Sequence, residues 1–527
     1  MFVLTIIACY ITADEKRYAY DRDEDGFIAQ ALENGTDCDD SDPDIYPGAF
    51  ESCLDGDDSD CDGFDCPPRS DIHMGLIEPT FEGDVGQLLG TNSTLVDFNR
   101  DGHLDLVTSE PLANQQKGVV QVMSGPLHED GSATGDVMQI VSDEYFELHL
   151  DATLDSDGDG FQELILVGHS EAAGRLDAQT HFLLVTDWYP GQTRTTTDVT
   201  TTLFASNWKD YSSEEEEVEV DLDELLLGGA DNGGDHDGDG RDDLLIFAPY
   251  NGNSGKVYLL TEPLPEVASL STVDVFIDVE SNSAIEALGS FGGKGPDING
   301  DGIPEVVVGS RGYDLPISTQ NLQYEDVGGA FLFLGPLEGI QSVGDADHRI
   351  SGTYTEAPLT NAVSAGDTDG DGYEELALYI QSGAGDLAIF RSFDEDVLFA
   401  SQSSDVYIYG GFSTEITHEF AESILPYDVD NDGHGDLLIT ATTEPSFDNW
   451  DAVGLGSAYL FYGPVSGVQS PDHAAARWYA GDGDWVLAPP LIGKLDADEH
   501  ADMLMPYVGD PDTSSRIYFL SDAFRDL

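Results

Sequence analysis

The chain has 527 residues, with 104 acidic against 19 basic side chains and a formal net charge of −85. A field of that sign repels polyanions, which excludes nucleic acid and an anionic membrane surface as partners. Clustered carboxylates without metal would repel one another strongly. Six calcium ions would cancel only about 12 of these charges, so most of the acid belongs on a solvated surface. The length admits two to four ordinary domains or one large repeat domain.

Residues 1–9 open the chain with an apolar run that ends in Ile6-Ile7-Ala8-Cys9. The run reads as the end of a secretory signal, and its last four residues fit the bacterial lipobox pattern, which makes Cys9 the expected lipidation site. No Lys or Arg precedes the run, and an ordinary apolar N-terminus is the competing reading. No other stretch is long and apolar enough to cross a bilayer. The expected location is therefore outside the cell, as a surface or outer-membrane lipoprotein or a secreted protein, with membrane contact only through the lipid.

Residues 10–20 read as a linker and residues 21–67 as a small acidic module. Apart from Cys9, the cysteines are Cys38, Cys53, Cys61 and Cys66, with none in the following 461 residues. An even set confined to one short segment of an exported chain reads as two disulfides, with the pairing open. A four-cysteine zinc site is the competitor, but it would need C-x-x-C pairs, which are absent. Asp21, Asp23 and Asp25 have the one-three-five spacing of a cation loop, with Gly26 at position 6. The run from Asp37-Cys-Asp-Asp-Ser-Asp-Pro to Asp60-Cys-Asp-Gly63 resembles the MopE-type metal-binding motif of bacterial exported proteins. That family is associated with copper. Between Tyr10 and Ile72, however, there is neither His nor Met, so the ligands here are carboxylate oxygens, which suit calcium over a soft metal. Too few apolar residues are present to form a core, so ions and disulfides must hold the module together; a disordered acidic spacer is the alternative.

From residue 71 to 527 one pattern recurs. Aspartate or asparagine stands at positions 1, 3 and 5, glycine at position 6, and an acid at position 9, followed by an apolar run. The sets are Asp97, Asn99, Asp101, Asp105; Asp155, Asp157, Asp159, Glu163; and Asp235, Asp237, Asp239, Asp243. Three more follow: Asp297, Asn299, Asp301, Glu305; Asp367, Asp369, Asp371, Glu375; and Asp428, Asp430, Asp432, Asp436. Alternate carboxylates around a sharp turn make an oxygen-only cage for a hard cation such as calcium. In an EF-hand the closing acid comes at position 12 and a helix follows. Here it comes at position 9 and a buried strand follows. Six propeller cations are thus expected, with one or more in the acidic module. A seventh copy departs from the pattern, with Lys494 at position 1, Asp496, Asp498 and Asp502 at 3, 5 and 9, and Glu499 in place of glycine. The Lys494 ammonium is expected to stand in for the metal there.

A second motif alternates with the first. It is a strand that starts after glycine and usually stops at proline, as in Gly118-Val-Val-Gln-Val-Met-Ser-Gly-Pro and Gly456-Ser-Ala-Tyr-Leu-Phe-Tyr-Gly-Pro. Seven strand-rich units of roughly 60 to 80 residues predict an all-β fold, a closed seven-bladed β-propeller of about four strands per blade. The pattern resembles the FG-GAP repeats of integrin α-subunit propellers and their bacterial relatives, and the resemblance implies calcium on one rim. Closure needs an outer strand for the last blade, and His73-Met-Gly-Leu-Ile77 is the expected clasp. The acidic run Ser212–Glu224 reads as a solvated insertion.

No catalytic motif emerges: His418-Glu419 lacks the second histidine of H-E-x-x-H, and there is no G-x-S-x-G or phosphate-cradling glycine loop. The reading is a non-enzymatic binding or adhesion protein, with adhesion supplied by the family resemblance, an extracellular protein or glycan as ligand, and calcium structural. A hydrolase or lyase acting on extracellular polysaccharide or lipid is the alternative.

Overall fold

The computed structural model describes Ile45 and residues 70–527 except 75–78, 128–134, 171–178, 208–228, 250–254, 262–263, 265–272, 274, 280–284, 318–321, 325, 353–357, 383–384, 394–399, 411–419, 442–443, 447–448, 455, 480–484, 497–499, 510–512, 522 and 525–527. The acidic module with its four cysteines, Asp21, Asp23, Asp25, the Cys9 segment and the Ser212–Glu224 run lie outside the described residues.

The apolar run after each cage becomes the second strand of a blade. Asp105–Glu110, Asp243–Ala248 and Asp436–Ala441 are buried at every position, because each is covered on both faces. Alternate side chains serve opposite interfaces. Leu164 and Leu166 pack with Val107 and Val122 of the preceding blade, whereas Ile165 and Val167 pack with Leu244 and Ile246 of the following one. Seven apolar clusters result, one between each pair of neighbouring blades, and the last joins Leu504 and Phe519 to Leu106 and Met123. The core is therefore a ring of interfaces.

Among the described residues there are seven sheets of four or five strands. Within a blade the strands follow chain order from the inside outwards, as in Leu359–Ser364, Leu376–Ile380, Asp386–Phe390 and Val406–Tyr409, all antiparallel. Inner strands touch around the axis: Tyr145–Leu154 meets Gly229–Gly234, which meets Ile285–Lys294, which meets Leu359–Ser364. Blades one, three and five each gain a fifth, parallel strand from the blade that follows: Thr193–Thr195, Ile340–Ser342 and Gly467–Gln469. These additions staple the blades in pairs.

The clasp forms a few residues later than the sequence suggested. Phe81–Val85 pairs antiparallel with Ser514–Leu520 and supplies blade seven's outer strand, while Ser514 Oγ donates to Glu82 Oε1 at 2.8 Å. The earlier strand, Ser70–His73, runs parallel to Ala476–Tyr479 on the outside of blade six. Both segments are short, and Phe81 of the later one packs against the cluster around Ile517.

The glycine that opens the third strand is fixed by the neighbouring blade. Gly118, Gly255, Gly328 and Gly385 all have positive φ, and a Cβ on each would lie 2.3 or 2.4 Å from the backbone oxygen of Leu148, Leu288, Leu359 or Phe420 respectively. These four oxygens belong to inner strands of the next blade, so the glycines set how closely two blades approach. Among the described residues no helix is long and apolar enough to cross a membrane.

Candidate metal centres

Each cage loop joins an inner strand to a second strand, so all six occupy the same end of their blades. The position-1 aspartate organises the loop. Asp367 Oδ1 accepts from Gly370 N and Asp371 N at 2.7 and 3.0 Å, and Oδ2 accepts from Gly372 N at 2.9 Å. Asp369 Oδ1 then takes Asp371 N, and Asp371 Oδ1 takes Tyr373 N. Asp97, Asp155, Asp235, Asp297 and Asp428 receive the position-6 amide in the same way, at 2.7 to 3.1 Å. Position 6 has φ near +90° in every copy, and a Cβ there would meet nothing within 4 Å. Glycine is required for its backbone conformation and not for space.

These bonds turn the carboxylates towards one point. One oxygen from each of Asp367, Asp369, Asp371 and Glu375 lies within 4.8 Å of the others. The same holds for Asp155, Asp157 and Glu163, for Asp235, Asp237 and Asp239, and for Asp428, Asp430 and Asp436. Cages one and four have Asn99 and Asn299 at position 3, and each side-chain oxygen accepts the position-5 amide at 2.9 and 2.8 Å. Asn99 also donates to Asp105 Oδ1 at 3.1 Å and to Ser124 Oγ at 2.6 Å.

The position-9 acid begins or immediately precedes the second strand and is buried. Asp105, Asp436 and Glu305 accept from Gly125 N, Gly463 N and Gly335 N, in the Gly-Pro pair that ends the third strand. Glu163, Asp243, Glu375 and Asp436 take the amide at position 2 of their own loops. The acid thus ties the cage to two strands. Burial, aided by the neighbouring aspartates and opposed by the backbone bonds, pushes Asp105 and Asp436 up to about 6, and Asp243 and Glu305 up to about 7. Glu163 and Glu375 are raised for the same first cause. Glu305 Oε1 is buried and lacks a hydrogen-bond partner. A hard cation fits these oxygen-only, converging groups, and the acidic clusters point to metal binding.

Several cations reach the cages from places the sequence motif does not mark. Arg100, at position 4 of cage one, pairs with Asp159 of cage two, lies 3.8 Å from Glu163 Oε1 and stacks over the Phe161 ring at 4.9 Å. Arg391 Nε sits 3.0 Å from Asp369 Oδ2, and Arg241 pairs with Asp239. In blade seven, Lys494 is exposed, and Asp502 Oδ2 accepts from Leu495 N and Asp496 N at 2.9 and 3.1 Å. Asp496 is buried and accepts from Ser521 Oγ at 3.0 Å; Asp498 and Glu499 lie outside the described residues.

The FG-GAP repeat model matches residues 89–123 and 228–260, each span running from an inner strand through its cage to the third strand. The chain is a seven-bladed propeller carrying FG-GAP repeats. A model of the Cu-binding MopE type, a metal-binding motif, matches residues 37–65 of the chain. No catalytic family is indicated. No curated protein matches the chain. Among solved structures it is similar to BBS1N in complex with ARL6DN, soaked with mercury, at 10% identity and TM-score 0.43, covering 86% of this chain and 98% of that one. The lead-soaked form of that complex has 8% identity, TM-score 0.43 and the same coverages.

Proposed function

We propose that this FG-GAP propeller is an exported, calcium-binding protein that serves as a binding or adhesion module, with calcium in a structural role. The observation that carries the reading is the convergence of four carboxylate oxygens within 4.8 Å in the fifth cage. That geometry leaves a concentrated negative charge at a strand corner unless a divalent ion occupies it. The position-1, -3, -5 and -9 side chains of the six cages are its ligands. Asp21, Asp23 and Asp25 contribute at least one further site in the acidic module, which disulfides among Cys38, Cys53, Cys61 and Cys66 hold together. Lipid on Cys9 would anchor the protein at the cell surface, and the propeller would present its ligand surface to an extracellular protein or glycan.

Equilibrium dialysis of the metal-stripped full chain against calcium tests the metal assignment. Six or more ions per chain, with dissociation constants of about 10⁻⁴ to 10⁻³ M, are expected. Fewer than three bound ions would overturn it. A glycan and protein array probed with the calcium-loaded chain tests the binding role, and silence across both would count against it.

A further inference from the structure

At the end of the propeller away from the cages, a cavity of about 740 Å³ opens on the axis. Its walls come from the inner and second strands of blades four to seven, with Thr91 from blade one. Among the described residues one permanent cation lines it, Arg311, near the end of the second strand Val306–Tyr313 of blade four. Six residues past the position-9 acid the sequence places Pro111, His169, Pro249, Arg311, Gln381, Thr442 and Val508, one per blade. His169 is kept towards its neutral form by burial. Arg311 is thus alone in that ring as a fixed positive charge.

Arg311 is exposed, and among the described residues its Nη2 donates to the Thr360 carbonyl oxygen, at 3.4 Å. No aspartate or glutamate is among the described residues of the cavity wall. Thr360 is buried, and its Oγ1 has no hydrogen-bond partner although the residue lines this cavity. An arginine with no facing acid among the described residues of the cavity wall, in a chain with 104 acidic residues, marks a place for an anion.

The rest of the wall narrows the ligand class. Asn361, Gln381 and Ser423 offer hydroxyl and amide groups, and Tyr379 offers an aromatic face for sugar C–H groups. A neighbouring cavity of about 420 Å³ is lined by Asp151 and Asp231 with Lys294, so its acid disfavours an anionic group seated there and leaves the Arg311 side as the place for a carboxylate. We propose that the axial mouth opposite the cages binds a short acidic saccharide, with Arg311 holding one of its carboxylates. This rests on the reading of the chain as a binding protein. A cavity of this size suits a di- or trisaccharide.

The test is calorimetric titration of the calcium-loaded full chain with three probes: a digalacturonate, a neutral galactose disaccharide and a tri-aspartate peptide. The digalacturonate should bind, and more tightly than the neutral sugar. Arg311→Ala should weaken it by about 10- to 100-fold, the size expected for loss of a charge-assisted hydrogen bond, while Arg311→Lys should retain part of the affinity. Because Arg311 is exposed, an unchanged melting curve for both variants serves as the folding control. Equal digalacturonate binding by wild type and Arg311→Ala, no digalacturonate binding, or preference for the peptide would each overturn the proposal. Neutral-sugar binding as tight as or tighter than digalacturonate binding would leave the binding-protein reading standing while removing this one.

Discussion

Calcium removal should lower the melting temperature of the full chain by an amount that can be worked out in advance. Four of the six cages bring three or four carboxylate oxygens within 4.8 Å of one another, and in cage five there are four. A site filled at ten times its dissociation constant stabilises the folded state by about 1.4 kcal/mol, so six sites contribute roughly 8 kcal/mol. A propeller of roughly 450 residues unfolds with an entropy near 0.95 kcal/mol/K, taking about 2.1 cal/mol/K per residue. The expected shift is therefore about 9 °C. Differential scanning calorimetry of metal-stripped protein, before and after calcium is restored, measures it, with elemental analysis confirming each state. Asp367→Asn should remove only the fifth cage's share, about 1 to 2 °C. A stripped protein that melts within 2 °C of the loaded one would refute the structural role of the ions, whatever their number.

The position-9 acids give a pH dependence with a definite sign. Asp243 and Glu305 are raised to about 7 and Asp105 and Asp436 to about 6 in the fold, so their stabilising contribution is complete below the ordinary carboxylate pKa and is lost as pH rises through 6 to 7. Metal-stripped protein should melt higher at pH 5 than at pH 7.5, the Asp243→Asn/Glu305→Gln double variant should flatten that profile, and calcium should reverse it because the ion needs ionised ligands. Gly385→Ala forces a Cβ to 2.3 Å from the Phe420 oxygen at φ +78°, and should cost about 2–4 kcal/mol in a denaturant titration. Phe81→Ala in the clasp, where the ring is only partly buried against the blade-seven and blade-one cluster, should cost about 1–3 kcal/mol and increase aggregation through the loosened edge. Arg100→Ala removes the cation that competes for Asp159 and Glu163, so calcium should bind cage two more tightly in the variant, measurable as a shift of one step in the binding isotherm.

The architecture was legible because its signals are local. Six loops with the same acid spacing and glycine, each followed by an apolar run, specify a strand corner from within ten residues, and the structure puts a second strand after every one of them. The glycine before each third strand was visible as punctuation. Its purpose was not, because the atom that excludes a side chain belongs to another blade: Leu148 O for Gly118, Phe420 O for Gly385. Distance along the chain also hid Arg100, whose partner Asp159 lies 59 residues away, and Arg391, which reaches back to Asp369. The clasp was expected a few residues too early for a related reason. Two short segments compete for two edges, and Phe81–Val85 wins blade seven because Phe81 reaches the cluster around Ile517, while Ser70–His73 takes the edge of blade six. The parallel strands that staple blade pairs follow from the same kind of non-local edge pairing, which leaves little trace in composition.

The cages and Arg311 stand at opposite ends of the blades, and that separation decides how metal and ligand interact. In blade four the second strand carries Arg311 six residues beyond Glu305 of cage four, about 20 Å of extended chain. Direct electrostatic coupling over such a distance is weak at physiological salt, where screening acts over about 8 Å. Calcium can therefore influence the axial mouth only through the closure and spacing of the blades. Ligand affinity should then be the same with and without calcium at temperatures where the stripped protein is still folded, and should collapse together with the fold above that point. A titration at 10 °C, well below the stripped protein's transition, separates the two cases: a calcium requirement for the digalacturonate there would mean that the ions shape the mouth itself, and the division of labour between the two faces would be wrong.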